Sequence, residues 1–116
     1  MNPQEFDRIM DERITQCVAT LSTKEGEYSQ GGDRFHNFRR AAEIVGSTPE
    51  RALIGMANKH LVSVLDIIDN LDRGYLAEKA LWNEKIGDLL NYLLLLDGML
   101  QERYGRGYSA TDNNMG

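Results

Sequence analysis

Three polar residues interrupt one of the most apolar stretches of this chain. Glu84, Asp88 and Asn91 stand at i, i+4 and i+7 in Glu84-Lys-Ile-Gly-Asp88-Leu-Leu-Asn91-Tyr-Leu-Leu-Leu-Leu. That spacing puts them on one face of a helix. The segment before it repeats the pattern with Lys59, Ser63, Asp66 and Asn70. Carboxylates set in an apolar surface are costly to desolvate unless a cation, a metal or a ligand pairs with them. Asp66, Glu84 and Asp88 are therefore candidate catalytic and metal-ligating residues, with Asp69 as a candidate fourth ligand. A hard cation such as Mg²⁺ wants such oxygen ligands and keeps room for water and phosphate. Lys59, His60, Ser63 and Asn91 are candidate ligand-binding groups beside them. The competing reading is a charged helix pair whose ion pairs lie in solvent and contribute little.

A second constellation lies upstream, in Lys24-Glu-Gly-Glu-Tyr28 and Asp33-Arg-Phe-His36-Asn37-Phe-Arg-Arg40. A glycine-bearing loop feeding a helix N-terminus offers backbone N–H groups and the positive end of a dipole. Lys24 and Arg34 supply charge for phosphate; Tyr28, His36 and Asn37 supply stacking and hydrogen bonds for a base or sugar. Neither His36 nor His60 has a Cys or His partner at zinc spacing. The chain has no Ser-His-Asp order, phosphate-loop lysine motif or dinucleotide fingerprint.

Four helices must position these groups. Apolar residues at i, i+3 and i+4 (Phe6, Ile9, Met10, Ile14, Cys17, Val18, Leu21) predict a helix from 3 to about 22. Gly26, Gly31 and Gly32 predict a loop over 22–32, and a second helix follows from 33 to 45, stopped by Gly46. Thr48-Pro49-Glu50 starts a third helix that runs to about Leu71. Asp72-Arg73-Gly74 breaks it, and the fourth runs from about Ala77 to Arg103. The short turn at Gly74 predicts that the last two helices pack antiparallel. The expected fold is all-α: a single four-helix bundle over 1–104 with a mobile tail over 105–116. Leucines surround most of the fourth helix between 89 and 100, more than a monomer this small can cover. A homodimer of helical hairpins or a higher homo-oligomer is expected.

At 116 residues and 41% hydrophobic content, the chain is long enough for one core. A net charge of −5 argues against a DNA or RNA binder. The single Cys17, on the apolar face of the first helix, suits a reducing compartment. The opening Met-Asn-Pro-Gln-Glu-Phe-Asp lacks a basic segment followed by an apolar run, and no stretch reaches membrane-span length. A cytoplasmic protein is expected.

The residues Glu27-Tyr28, Asp33-Arg-Phe-His-Asn37-Phe38, Ala41-Ala42, Pro49-Glu50, Ala52-Leu53, Gly55-Met56, Lys59-His60, Asp66, Trp82, Glu84-Lys85-Ile86, Asp88 and Asn91-Tyr92-Leu93 resemble a family of small helical proteins. That family is common in phages and prophages and is described as uncharacterised or nucleotide-modification-associated. The resemblance covers about residues 20 to 100. The family is similar in outline to the all-α nucleoside triphosphate pyrophosphatases, the MazG and dUTPase-like group. There, E-x-x-E on one helix and E-x-x-D on the next hold Mg²⁺. The nearest equivalents here are Asp66-Ile-Ile-Asp69 and Glu84-Lys-Ile-Gly-Asp88, the second with one extra residue.

The resemblance implies two functions in the host cytoplasm. One is a Mg²⁺-dependent nucleotide pyrophosphohydrolase using Asp66, Glu84 and Asp88, with Lys59 and Arg34 on phosphate. The other is a non-catalytic sponge that sequesters a cyclic or ADP-ribose-like nucleotide immune signal and so counters antiphage defence. A third reading, a purely structural oligomer, needs no ligand.

Overall fold

The structure is a computed structural model that describes residues 1–28 and 31–107, with the backbone alone for 25–28. Four helices make up its elements: α1 (Pro3–Tyr28), α2 (His36–Val45), α3 (Pro49–Asp72) and α4 (Lys79–Gly105). No strand forms among the described residues.

Local chemistry sets the boundaries. Thr48 is extended, and its hydroxyl oxygen accepts the Arg51 N–H at 3.2 Å, while Pro49 occupies the first turn of α3. Gly46 ends α2 in the left-handed region (φ 67°, ψ 42°), and the Ser47 N–H turns back to the Ala42 carbonyl at 2.9 Å. Two boundaries differ from expectation. α1 runs six residues past 22 to Tyr28, because the Gly26 it crosses weakens a helix without ending it. α2 begins at His36 rather than 33, because Asp33 folds its carboxylate onto the Phe35 N–H at 3.0 Å. Of the tail expected to be mobile, 108–116 lies outside the described residues.

Helix α1 packs on α2 and α4, and α3 packs on α2 and α4, while the backbones of α1 and α3 do not approach closely. The helices therefore occupy four corners, with α4 diagonal to α2. Pairings along α3 and α4 run in opposite order: Glu50 meets Arg103, His60 meets Asp88 and Tyr92, and Asp66 shares a cleft with Leu81 and Lys85.

The core sits at the α2 end. Phe35, Phe38, Leu53, Leu95 and Met99 form one buried cluster, with Leu21, Ile54 and Tyr92 against it. Phe38 and Leu53 are wholly inaccessible, each contributing about 2–3 kcal/mol of transfer free energy. Cys17 is also buried, as its apolar position predicts. Charged pairs clamp the same end. The Arg39 Nε–H donates to Asp33 at 2.7 Å and its Nη2 to Glu102; Arg103 donates to Glu50 at 2.8 Å. The bond from Arg39 holds the Asp33 carboxyl below its ordinary range, and the bond from Arg103 does the same to Glu50. No helix among the described residues is long and apolar enough to cross a membrane.

Candidate functional site

The middle of the bundle carries a polar cleft where three helices meet. α1 contributes Thr20, Leu21 and Lys24; α3 contributes Lys59 and His60; α4 contributes Asp88, Asn91, Tyr92 and Leu95. Its volume is about 200 Å³. A second cleft of about 300 Å³ adjoins it between α1 and α4, sharing Thr20, Asp88 and Asn91 and adding Arg13, Glu84 and Gly87. Together they make a groove of the size that small-molecule sites use.

Helical spacing explains the assembly. Lys24 lies four residues from Thr20, and Thr20 seven from Arg13, so all three share one face of α1. On α4, Glu84, Asp88 and Asn91 share the face that meets it. Gly87 permits the close approach: a Cβ there would lie 2.8 Å from the Arg13 Nη1. The Arg13 guanidinium fills that space and donates to the Asn83 carbonyl at 3.0 Å and to the Asn83 side chain.

The electrostatics are uneven. Lys24 and Lys59 bring two positive charges to a cleft whose one carboxylate is Asp88. The His60 Nδ1 lies 3.5 Å from the Asp88 carboxylate, and its ring tilts against Tyr92 with centroids 5.2 Å apart. Burial nevertheless holds the His60 pKa below its ordinary value; Asp88 opposes that shift, while Lys59, Lys85 and Lys24 reinforce it. The balance favours the neutral imidazole. Asn91 Oδ1 is fully buried and has no hydrogen-bond partner. A buried acceptor without a donor costs about 1–3 kcal/mol. The Asn91 side chain that carries it lines both clefts, with Oδ1 itself turned out of reach of solvent.

The structure brings Lys24, Lys59, His60, Asp88 and Asn91 around the first cleft and puts Glu84 in the second. Ser63 and Asp66 stand apart, in another cleft with Asn70, Leu81 and Lys85. Asp66 lines that cleft with Lys85, while Glu84, the neighbour of Lys85 on α4, points about 100° away from it. The Ser63 hydroxyl donates to the Lys59 carbonyl of its own helix at 3.0 Å. Asp69 is exposed on α3. Among the described residues, no group of three His, Cys, Asp or Glu side chains could hold a metal ion. Two carboxylates, Glu84 and Asp88, share one cleft. That is fewer than the three-acid set expected, yet within what Mg²⁺ uses when phosphates and waters complete its shell.

The upstream constellation divides too. Arg34 reaches back to the Leu21 carbonyl at 3.3 Å and joins the end of α1 to the following turn. His36 and Asn37 sit in the first turn of α2, outside both clefts. The side chain of Tyr28 lies outside the described residues. Two contributors are not marked by the sequence patterns above, Arg13 and Thr20; Tyr92, a packing residue by its sequence setting, packs against the core and also lines the cleft. The first two belong to a polar stripe on α1, Arg13-Gln16-Thr20-Lys24, which follows the same periodic rule as the one on α4.

No protein-family model, no curated protein and no solved structure matches this chain.

Proposed function

We propose that this protein binds a small phosphorylated nucleotide in the cleft between α1, α3 and α4 and holds it without cleaving it. Phosphates lie against Lys24 and Lys59, and an N–H of the base or a sugar hydroxyl reaches Asn91 Oδ1 and Asp88. The observation that carries this reading is the buried, unpartnered Asn91 acceptor in a cleft that also holds two lysines. A neutral amide and a carboxylate suit hydrogen-bond donors on a ligand; the lysines suit its anionic end. On this reading the chain is a phage-type, MazG-like antiparallel bundle, homo-oligomeric and working in the host cytoplasm. It sequesters a cyclic or ADP-ribose-like immune signal to counter antiphage defence.

The second reading is a Mg²⁺-dependent nucleotide pyrophosphohydrolase, favoured by Glu84 and Asp88 lining one cleft beside the lysines. The metal would supply charge neutralisation and an activated water there. One incubation separates the two. Purified protein is mixed with linear and cyclic nucleotides, with and without Mg²⁺, and the free nucleotides are profiled by chromatography before and after heat denaturation. A nucleotide that disappears and returns intact supports sequestration. A product that grows with time supports the hydrolase, and a panel left unchanged throughout rejects both.

A further inference from the structure

The groove continues past the two clefts described above. A third cleft, of about 170 Å³, opens where the second ends, and the two share Arg13, Gln16 and Asn83. Ile9 and Glu12 of α1 and Lys79 and Trp82 of α4 complete its walls. The three clefts follow one another along the line where α1 and α4 meet. From Tyr92 to Lys79 that line is about 20 Å long.

A single nucleotide does not fill it. Trp82 lies about 15 Å along the helix axis from Tyr92. A nucleotide with its phosphate on Lys24 and Lys59 and its sugar or base beside Asn91 ends in the second cleft, short of the indole.

The chemistry beyond that point repeats the chemistry before it. Lys24 and Lys59 come first, then the acceptors of Asn91, Asp88 and Glu84. Another cation, Arg13, follows, and then an aromatic ring, Trp82. Arg13 donates to the Asn83 carbonyl at 3.0 Å and to the Asn83 side-chain oxygen; both acceptors are neutral, so neither offsets its charge. Its guanidinium lies against Asn83 and Gly87, whereas His60, the neighbour of Lys59, faces Asp88 and Tyr92. Those two levels differ by roughly 7 Å along α4. That is the order of separation between successive phosphates in an extended strand.

Trp82 is the chain's single tryptophan, and it is half-buried and stands outside the core cluster. An accessible aromatic face beside cations is a stacking platform for a nucleobase of any kind. The groove sets Lys24, Lys59, Arg13 and Lys79 against Asp88, Glu84 and Glu12, a cationic balance on a chain of net charge −5.

We infer that the groove takes a further class of ligand, a linear dinucleotide with a 5′ phosphate. The 5′ phosphate lies on Lys24 and Lys59, the first nucleoside beside Asn91 and Asp88, the linking phosphate on Arg13 and the second base on Trp82. This rests on the nucleotide reading of the first cleft. A ligand with one base occupies the first two clefts alone; a linear dinucleotide fills all three.

Titration calorimetry and tryptophan fluorescence on the full chain test this. The probes are AMP, ADP-ribose and linear 5′-phosphorylated diadenylate. The diadenylate should bind roughly tenfold more tightly than AMP and change the Trp82 fluorescence saturably. AMP and ADP-ribose, each with one base, should bind without that change. Trp82→Leu should weaken diadenylate binding about five- to 150-fold, as loss of one stacked base predicts, and Trp82→Tyr should recover most of it. An equal loss for AMP and diadenylate in Trp82→Leu would mark the tryptophan as structural and overturn the inference. Diadenylate that binds no more tightly than AMP, or binds without a fluorescence change, overturns it and leaves the nucleotide reading standing. Binding of none of the three probes removes both.

Discussion

Replacing Asn91 with leucine should make the ligand-free protein more stable and unable to bind. Asn91→Leu keeps the number and branching of the side-chain heavy atoms and removes an acceptor that is buried without a partner. Relieving that penalty returns about 1–3 kcal/mol. For a domain of this size each kcal/mol moves the melting temperature by about 4 °C, so a rise of roughly 4–12 °C is expected. The assay is calorimetric melting of wild type and variant, each with and without ATP or ADP-ribose. A ligand at 100 times its Kd adds about 2.7 kcal/mol, so the wild type should shift by roughly 10 °C and the variant should not shift. A ligand-free variant that melts below the wild type refutes the claim that this amide is kept for a ligand. A variant that shifts as far as the wild type refutes the placement of the ligand.

Four further outcomes follow from the geometry. Lys59→Ala should weaken nucleotide binding at least tenfold and flatten its salt dependence, because one of two cleft cations is gone; titration calorimetry at two ionic strengths reads both. Gly87→Ala should change stability by less than about 1 kcal/mol, since the gain in helix propensity offsets the displaced Arg13, a flexible end that can move; urea melts would expose a larger loss. Phe38→Ala should cost about 3–5 kcal/mol, and failure to lower the denaturation midpoint sharply would contradict a core confined to the α2 end. The pKa of His60 is lower folded than its ordinary 6.5, so the unfolded chain takes up the proton first. Its stability contribution is complete above pH 6.5 and is lost as pH falls toward the folded pKa, a loss that His60→Gln should remove from the pH profile of the melting temperature.

The helix count and most boundaries were legible because periodicity, the Thr48-Pro49 start and the Gly46 stop are local signals. The end of α1 was not, because whether a helix continues through Gly26 depends on its surroundings as well as on propensity. Of the two polar stripes, Lys59 of one lines a cleft with Asp88 and Asn91 of the other. Asp66 was assigned to that face from spacing along α3 alone. Which side of α4 it would meet depends on the rotation of one helix against the other, and that is set by packing. The role of α1 was missed because its apolar residues were counted while its polar stripe was not.

The central claim is that a nucleotide sits between α1, α3 and α4. The most direct test is an amide NMR titration of labelled full-length protein with ATP and with ADP-ribose. Saturable shifts concentrated at Thr20, Lys24, Lys59, His60, Asn91 and Tyr92 are predicted for at least one of them. Shifts centred instead on the Arg39–Glu102–Arg103 cluster, or no saturable shifts with either nucleotide, would contradict it.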